Sequence, residues 1–235
     1  MLKLMKLEVR RNSLKTYATA ALIITLVMIG FLYLFAAIPS IDETEQDIEM
    51  FRSYGSIATL TCMLSMVSFS ILSSVMYAKF VVEEYNSKKA ILLFSYPVSR
   101  KKIFGAKIAT VFLFTVISMV LSGFLTFGIF YITEAIFPIC KDALILQTII
   151  KTIGLIGIYS IMAGALALLS LWFGMWKKST PATIVSGTVI VCVICNFLAV
   201  GLNIPVIAVG FTIVAILVGG YTSLGISKKI GIMEV

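Results

Sequence analysis

Two adjacent carboxylates, Glu83 and Glu84, open the stretch of this chain whose residue types best suit polar chemistry. Behind them come Ser87, Lys88 and Lys89, then Pro97, Ser99 and Arg100, within EEYNSKKAILLFSYPVSRKKIFGAK (83–107). Such residues can pair ions, donate hydrogen bonds or move protons. The stretch holds eight of the 30 charged residues (19 Lys+Arg, 11 Asp+Glu) and lies between two long apolar runs. A second set, Thr61, Ser65 and Ser68, sits inside the preceding run with Thr59, Ser70, Ser73 and Ser74. Hydroxyls there either bond back to their own helix, at little cost in lipid, or line a moderately polar pathway.

Several chemistries are removed by what the chain lacks. It has no histidine, which excludes His-based zinc sites and most nucleophile–base pairs. Glu83-Glu84 resembles the paired glutamates of CAAX-type membrane proteases, but those also need histidines. The chain is therefore expected to be no enzyme and to carry no catalytic residue or metal site. Cys192 and Cys195 have C-x-x-C spacing without a second pair and read as small apolar filler. No G-x-x-x-x-G-K-[ST] phosphate loop occurs; residues 174–180 match it only faintly in composition. Uphill work would have to be energised by a partner. Ionisable residues stay at the edges of the apolar runs: Arg52, Lys79, Lys107, Glu134 and Lys151. Of these, Lys79 and Lys107 are expected to snorkel to the nearer surface. Their absence from the interior argues against a proton-coupled transporter.

The elements that position these residues follow from composition. The 235 residues are 60% hydrophobic and 13% charged, with mean hydropathy +1.08, against about 25% charged in soluble domains. Lipid must solvate most of the surface. Six runs reach the roughly 20 residues a spanning helix needs: 17–38, 54–81, 103–132, 152–175, 181–201 and 204–226. The last two divide an uncharged stretch of 49 residues, Ser179 to Ser227, at the turn GLNIP, with Pro205 suited to a first helical turn. Continuous rather than alternating apolarity favours helices over barrel strands. The expected fold is all-α and integral to the membrane, with six transmembrane helices forming one domain over 17–235.

Residues 1–16 form the other expected unit, a basic interfacial helix. Lys3, Lys6, Arg10 and Ser13 make one stripe with Met1, Met5 and Val9 roughly opposite. The run after it is too long for the apolar core of a signal peptide, so an uncleaved first helix is expected. Small residues gather in the fourth run, including Ser160-x-x-x-Gly164 and Ala163-x-x-x-Ala167, spacings that permit close helix approach.

Charge assigns the sides. With the N-terminus, the 82–102 loop and its flanks, Lys177/Lys178 and the C-terminus together, one side holds 16 of the 19 Lys+Arg residues. The other holds Arg52, Lys141 and Lys151, and seven of the 11 acids, mostly in 41–50. The positive-inside bias makes both termini and the 83–102 segment cytoplasmic. It also accounts for the net charge of +8 without a nucleic-acid partner. A multi-pass protein of the cytoplasmic membrane is the expected location.

Within that segment, residues 87–95 are expected to form a short surface helix that Pro97 ends. Ser99 is positioned to cap the next span, which Arg100, Lys101 and Lys102 anchor. The sequence of acids, Lys-bearing short helix, Leu93-Phe94-Ser95-Tyr96-Pro97-Val98-Ser99-Arg100 and Lys107 resembles the first cytoplasmic loop of ABC-2 type transporter permeases. Asn86-Ser87 stands where that family often has Gly-Thr.

The resemblance implies a permease subunit of an ATP-driven exporter, working as a homo- or heterodimer. A separate cytoplasmic ABC ATPase subunit, which binds ATP and Mg, would dock on Glu83, Glu84, Ser87, Lys88, Lys89, Pro97, Ser99 and Arg100. This chain would bind no cofactor. It also implies hydrophobic or amphipathic cargo, such as antimicrobial or toxin peptides, lipid or drug, and hence a part in antibiotic resistance. The alternative is a non-transporting membrane anchor or sensor that tethers a cytoplasmic partner.

Overall fold

The computed structural model describes residues 4, 5, 7, 8, 14–41, 53–86, 100–136, 146–200 and 205–232, and these contain helices and turns without a strand. Six long helices carry the expected runs: α1 (Lys15–Ile41), α2 (Tyr54–Tyr77), α3 (Arg100–Ile136), α4 (Leu146–Lys177), α5 (Thr180–Val200) and α6 (Pro205–Ile232). Each contains an apolar stretch long enough to cross a bilayer. In lipid the backbone must satisfy its own hydrogen bonds, so each run closes into a helix. Pro205 opens α6, where its missing N–H costs nothing.

Sequence and structure differ at several ends. The 37 residues of α3 span about 55 Å at 1.5 Å per residue, well beyond a hydrocarbon core of about 30 Å. The first part of α3 therefore has length to spare outside the apolar layer. The helix of the second run continues past 81: α2 passes into a π-helical turn (Ala78–Val82) and a last α turn (Glu83–Asn86). Nothing in residue type marked that widened turn.

Burial separates two inner helices from four outer ones. In α2 and α4, 56% of the apolar window is buried, against 22–28% in the other spans. The inner pair is joined by hydroxyls: Ser70 Oγ donates to the Ala163 carbonyl (3.2 Å) and Ser170 Oγ to Ser74 Oγ (3.0 Å). Close approach depends on residues without bulk. A Cβ at Gly164 would lie 2.7 Å from the Phe112 ring, and one at Gly187 would collide with Ser74 and crowd Ser170. Gly164, Ser160, Ala163 and Ala167 are thus used within the chain, while Gly154 and Gly157 have open space beside them.

The turn between α4 and α5 is two residues long. Lys178 takes φ 50°, and Ser179 N–H donates to the Gly174 carbonyl at 3.2 Å, a Schellman ending. It places Lys177 and Lys178 at the same end of the bundle as the α2–α3 connection. One apolar cluster there gathers the start of α1 (Tyr17), the end of α2 (Met76, Tyr77, Phe80), the start of α3 (Phe104), the end of α4 (Leu171) and the last part of α6 (Ile226). The start of the chain, the segment after α2 and the end of α6 therefore share one end.

Candidate functional site

The shared end is built around Lys107. Its position on α3 is two turns past Arg100, deep enough that the side chain is 1% exposed. Its ammonium donates to Glu84 Oε2 (2.7 Å), Glu8 Oε2 (3.1 Å) and the Phe80 carbonyl (3.1 Å). The first partner belongs to the last turn of α2, the second to the helical residues near the N-terminus, and the third to the π turn. A charge so far from water is stable only when paired and hydrogen-bonded, and these three acceptors meet that requirement. The expected snorkelling of Lys107 is thereby corrected: acceptors inside the protein reach the ammonium, so it has no need to extend to solvent. Lys79, by contrast, is exposed.

The π turn contributes directly. Glu83 N–H donates to the Ala78 carbonyl, five residues back. A widened turn tilts carbonyls away from the helix axis and lets a side chain reach in from a neighbour. Aromatic rings close over the same point. Tyr17 of α1 meets Phe80 edge to face at 5.3 Å, and Tyr85 meets Phe104 of α3 at 5.9 Å. These contacts hold α1, α2 and α3 around the root of the 83–102 segment.

Against this geometry the docking candidates divide. Glu83 is exposed, while Glu84 turns inward to Lys107. Arg100 is the first residue of α3, directly after Ser99. Ser87, Lys88, Lys89, Pro97 and Ser99 lie outside the described residues. So do all four residues of the basic stripe, Lys3, Lys6, Arg10 and Ser13, and Cys140, although Leu4, Met5, Leu7 and Glu8 are helical.

The candidate pathway residues lie on inner helix α2. Thr61 is buried and donates to the Ile57 carbonyl (2.8 Å); Ser65 is buried; Ser68 is part-buried and donates to the Leu64 carbonyl (3.0 Å). In the single chain they meet helix backbone and neighbouring side chains. Cys62, Cys192 and Cys195 are free thiols, and no cluster of His, Cys, Asp or Glu fit to hold a metal occurs among the described residues.

At the opposite end, Tyr54 Oη donates to Glu134 Oε1 at 2.7 Å, and Glu134 is 4% exposed. Tyr33 and Thr133 share a hydrogen bond of 2.6 Å, as do Tyr131 and Thr152 at 2.7 Å. This end is held by aromatic hydroxyls, the other by an ion cluster.

Sequence reasoning missed the joining of Glu8, Glu84 and Lys107. Two signals point to it. Glu8 is the one acid among the first 16 residues, and Lys107 lies beyond the three basic residues that already anchor α3.

A family model described as "ABC-2 family transporter protein" matches residues 4–196, from the N-terminal helical residues into α5. A protein of Bacillus subtilis (strain 168), "Uncharacterized protein YcbO", is 28% identical over 193 residues, covering 82% of this chain and 83% of its own. No solved structure matches significantly. With most of its length matched and six helices able to span a bilayer, the chain belongs to the ABC-2 family of transporter proteins, as a multi-pass permease subunit of an ABC transporter whose partner is an ABC ATPase.

Proposed function

We infer that this permease exports hydrophobic or amphipathic cargo, with antimicrobial or toxin peptides the leading class and lipids or drugs close to it. Two copies, or one copy and a related chain, enclose the path. The ATPase subunit docks on the 83–102 segment from the cytoplasm, with both termini on that side of the cytoplasmic membrane. ATP and Mg act on the partner, and this chain contributes no catalytic group.

The observation that supports this reading best is the construction of the α2–α3 end. The root of the segment is fixed by Lys107 to α3 and to the N-terminal helical residues, so force applied there enters several helices together. Glu83 is exposed at this root, on the surface that the ATPase would meet. Among the described residues, the charged side chains of the spans gather at their ends, with Lys107 and Glu84 at one end and Glu134 at the other. This suits apolar cargo, because ionised side chains in hydrocarbon mark paths for ions and protons.

The test uses proteoliposomes containing this chain and its ATPase subunit, with Mg·ATP and a fluorescent cationic amphipathic peptide on the ATPase side. Peptide should accumulate in the lumen only when both subunits and hydrolysable ATP are present. An anchor without transport activity would leave accumulation unchanged when this chain is omitted.

A further inference from the structure

We propose that Glu8, Glu84 and Lys107 form an ion latch that fastens the N-terminal helical residues to the root of the 83–102 segment, so that the two move as one body. Three parts of the chain far apart in sequence converge on one buried ammonium. Glu8 is 99 residues from Lys107 and Glu84 is 23. The latch also includes the Phe80 carbonyl, inside the π turn that joins α2 to its last turn. A widened turn is a natural place for a helix to bend. Below it, the Glu84 turn is held to Lys107; above it, α2 is packed into the core through Met76 and Tyr77.

A consequence for motion follows. A displacement of the 83–86 turn would bend α2 at residues 78–82 and carry Lys107 with it through the 2.7 Å bond to Glu84. Glu8, bonded to the same ammonium, would be drawn along. Tyr17 and Phe80 touch nearby, which conveys the displacement to the start of α1. The N-terminal helical residues are in this way a second output of the segment, besides α2 and α3. That functional half rests on the docking reading; the latch itself does not.

The test measures amide hydrogen exchange of the full chain in lipid nanodiscs. Lys107→Met should raise exchange in residues 4–8 and 83–86 by about tenfold or more, while the interior of α2 changes by less than about twofold. Glu8→Gln should release residues 4–8 alone, and Lys107→Arg should restore protection at both places. If Lys107→Met fails to insert, Glu8→Gln decides: unchanged exchange in residues 4–8 would overturn the latch. A second arm uses the complex with the ATPase subunit and a non-hydrolysable ATP analogue with Mg. Analogue should change exchange at both places in the wild type, and only at 83–86 in Glu8→Gln. An identical response in both complexes would also overturn the proposal. Failure of the ATPase to bind the wild-type chain would instead contradict docking, leaving the first arm to judge the latch.

Discussion

Lys107 Nζ lies 2.7 Å from Glu84 Oε2, joining α3 to the last turn of α2 across the π-helical turn. Both side chains are largely withdrawn from solvent, so the pair is held in place by the cost of separating it. Removing one member should destabilise the fold by about 3–5 kcal/mol, because the other charge is left buried. Lys107→Met and Glu84→Gln together should cost less than the sum of the two single changes. Chemical or thermal unfolding in detergent, arranged as a double-mutant cycle, checks this. Strict additivity would show that the two side chains do not act as a pair.

Packing gives a sharper contrast. Gly187 faces Ser74 and Ser170 with no room for a side chain, whereas Gly154 has open space. Gly187→Val should cost about 1–3 kcal/mol through overpacking. Gly154→Ala should be neutral or stabilising by up to about 1 kcal/mol, since alanine is the better helix former. Thermal denaturation of the two variants in the same detergent provides the comparison. Equal losses would contradict the close α2–α5 contact.

At the opposite end, Tyr54→Phe removes the 2.7 Å hydrogen bond to Glu134 and retains the ring. Losing one partner of a buried hydrogen bond costs about 1–3 kcal/mol, so a loss in that range is expected by unfolding. The Lys107 end should keep its exchange protection in the same variant. Loss of protection at both ends would mean that the bundle opens as a whole.

Sidedness is tested by labelling. In a background with the four native cysteines replaced, Glu83→Cys should react with a membrane-impermeant maleimide only from the cytoplasm. Ser53→Cys, at the start of α2, should react only from outside. The reverse pattern would contradict the placement drawn from 16 of 19 Lys+Arg residues on one side.

The spans were legible because lipid leaves a chain little choice: a continuous apolar run must close its own hydrogen bonds. The division between α5, ending at Val200, and α6 was legible too, with Pro205 opening α6 as its fixed φ requires. The π turn was not, because Ala78-Lys79-Phe80-Val81-Val82 contains no proline or glycine to mark a break. Its widened geometry goes together with a tertiary contact, Lys107 on the Phe80 carbonyl, which no local pattern encodes. Glu84 shows a related limit. Adjacent glutamates look equivalent in sequence, but successive residues on a helix point in different directions, so Glu83 meets solvent and Glu84 meets Lys107. The proposed docking chemistry and the fold chemistry would thus share one dipeptide.

The division between those two glutamates gives the most direct test of docking. Reversing Glu83→Lys together with Arg100→Glu alters charge at both flanks of the 83–102 segment and leaves Glu8, Glu84 and Lys107 as they stand in the sequence. Affinity capture of this chain from its own membranes, followed by quantification of the ATPase subunit, is the measurement. The predicted result is loss of about nine-tenths or more of the bound ATPase, corresponding to about 1.4 kcal/mol or more, with membrane insertion retained. Full retention of the ATPase in the reversed variant would contradict the assignment of the 83–102 segment as the place where energy enters.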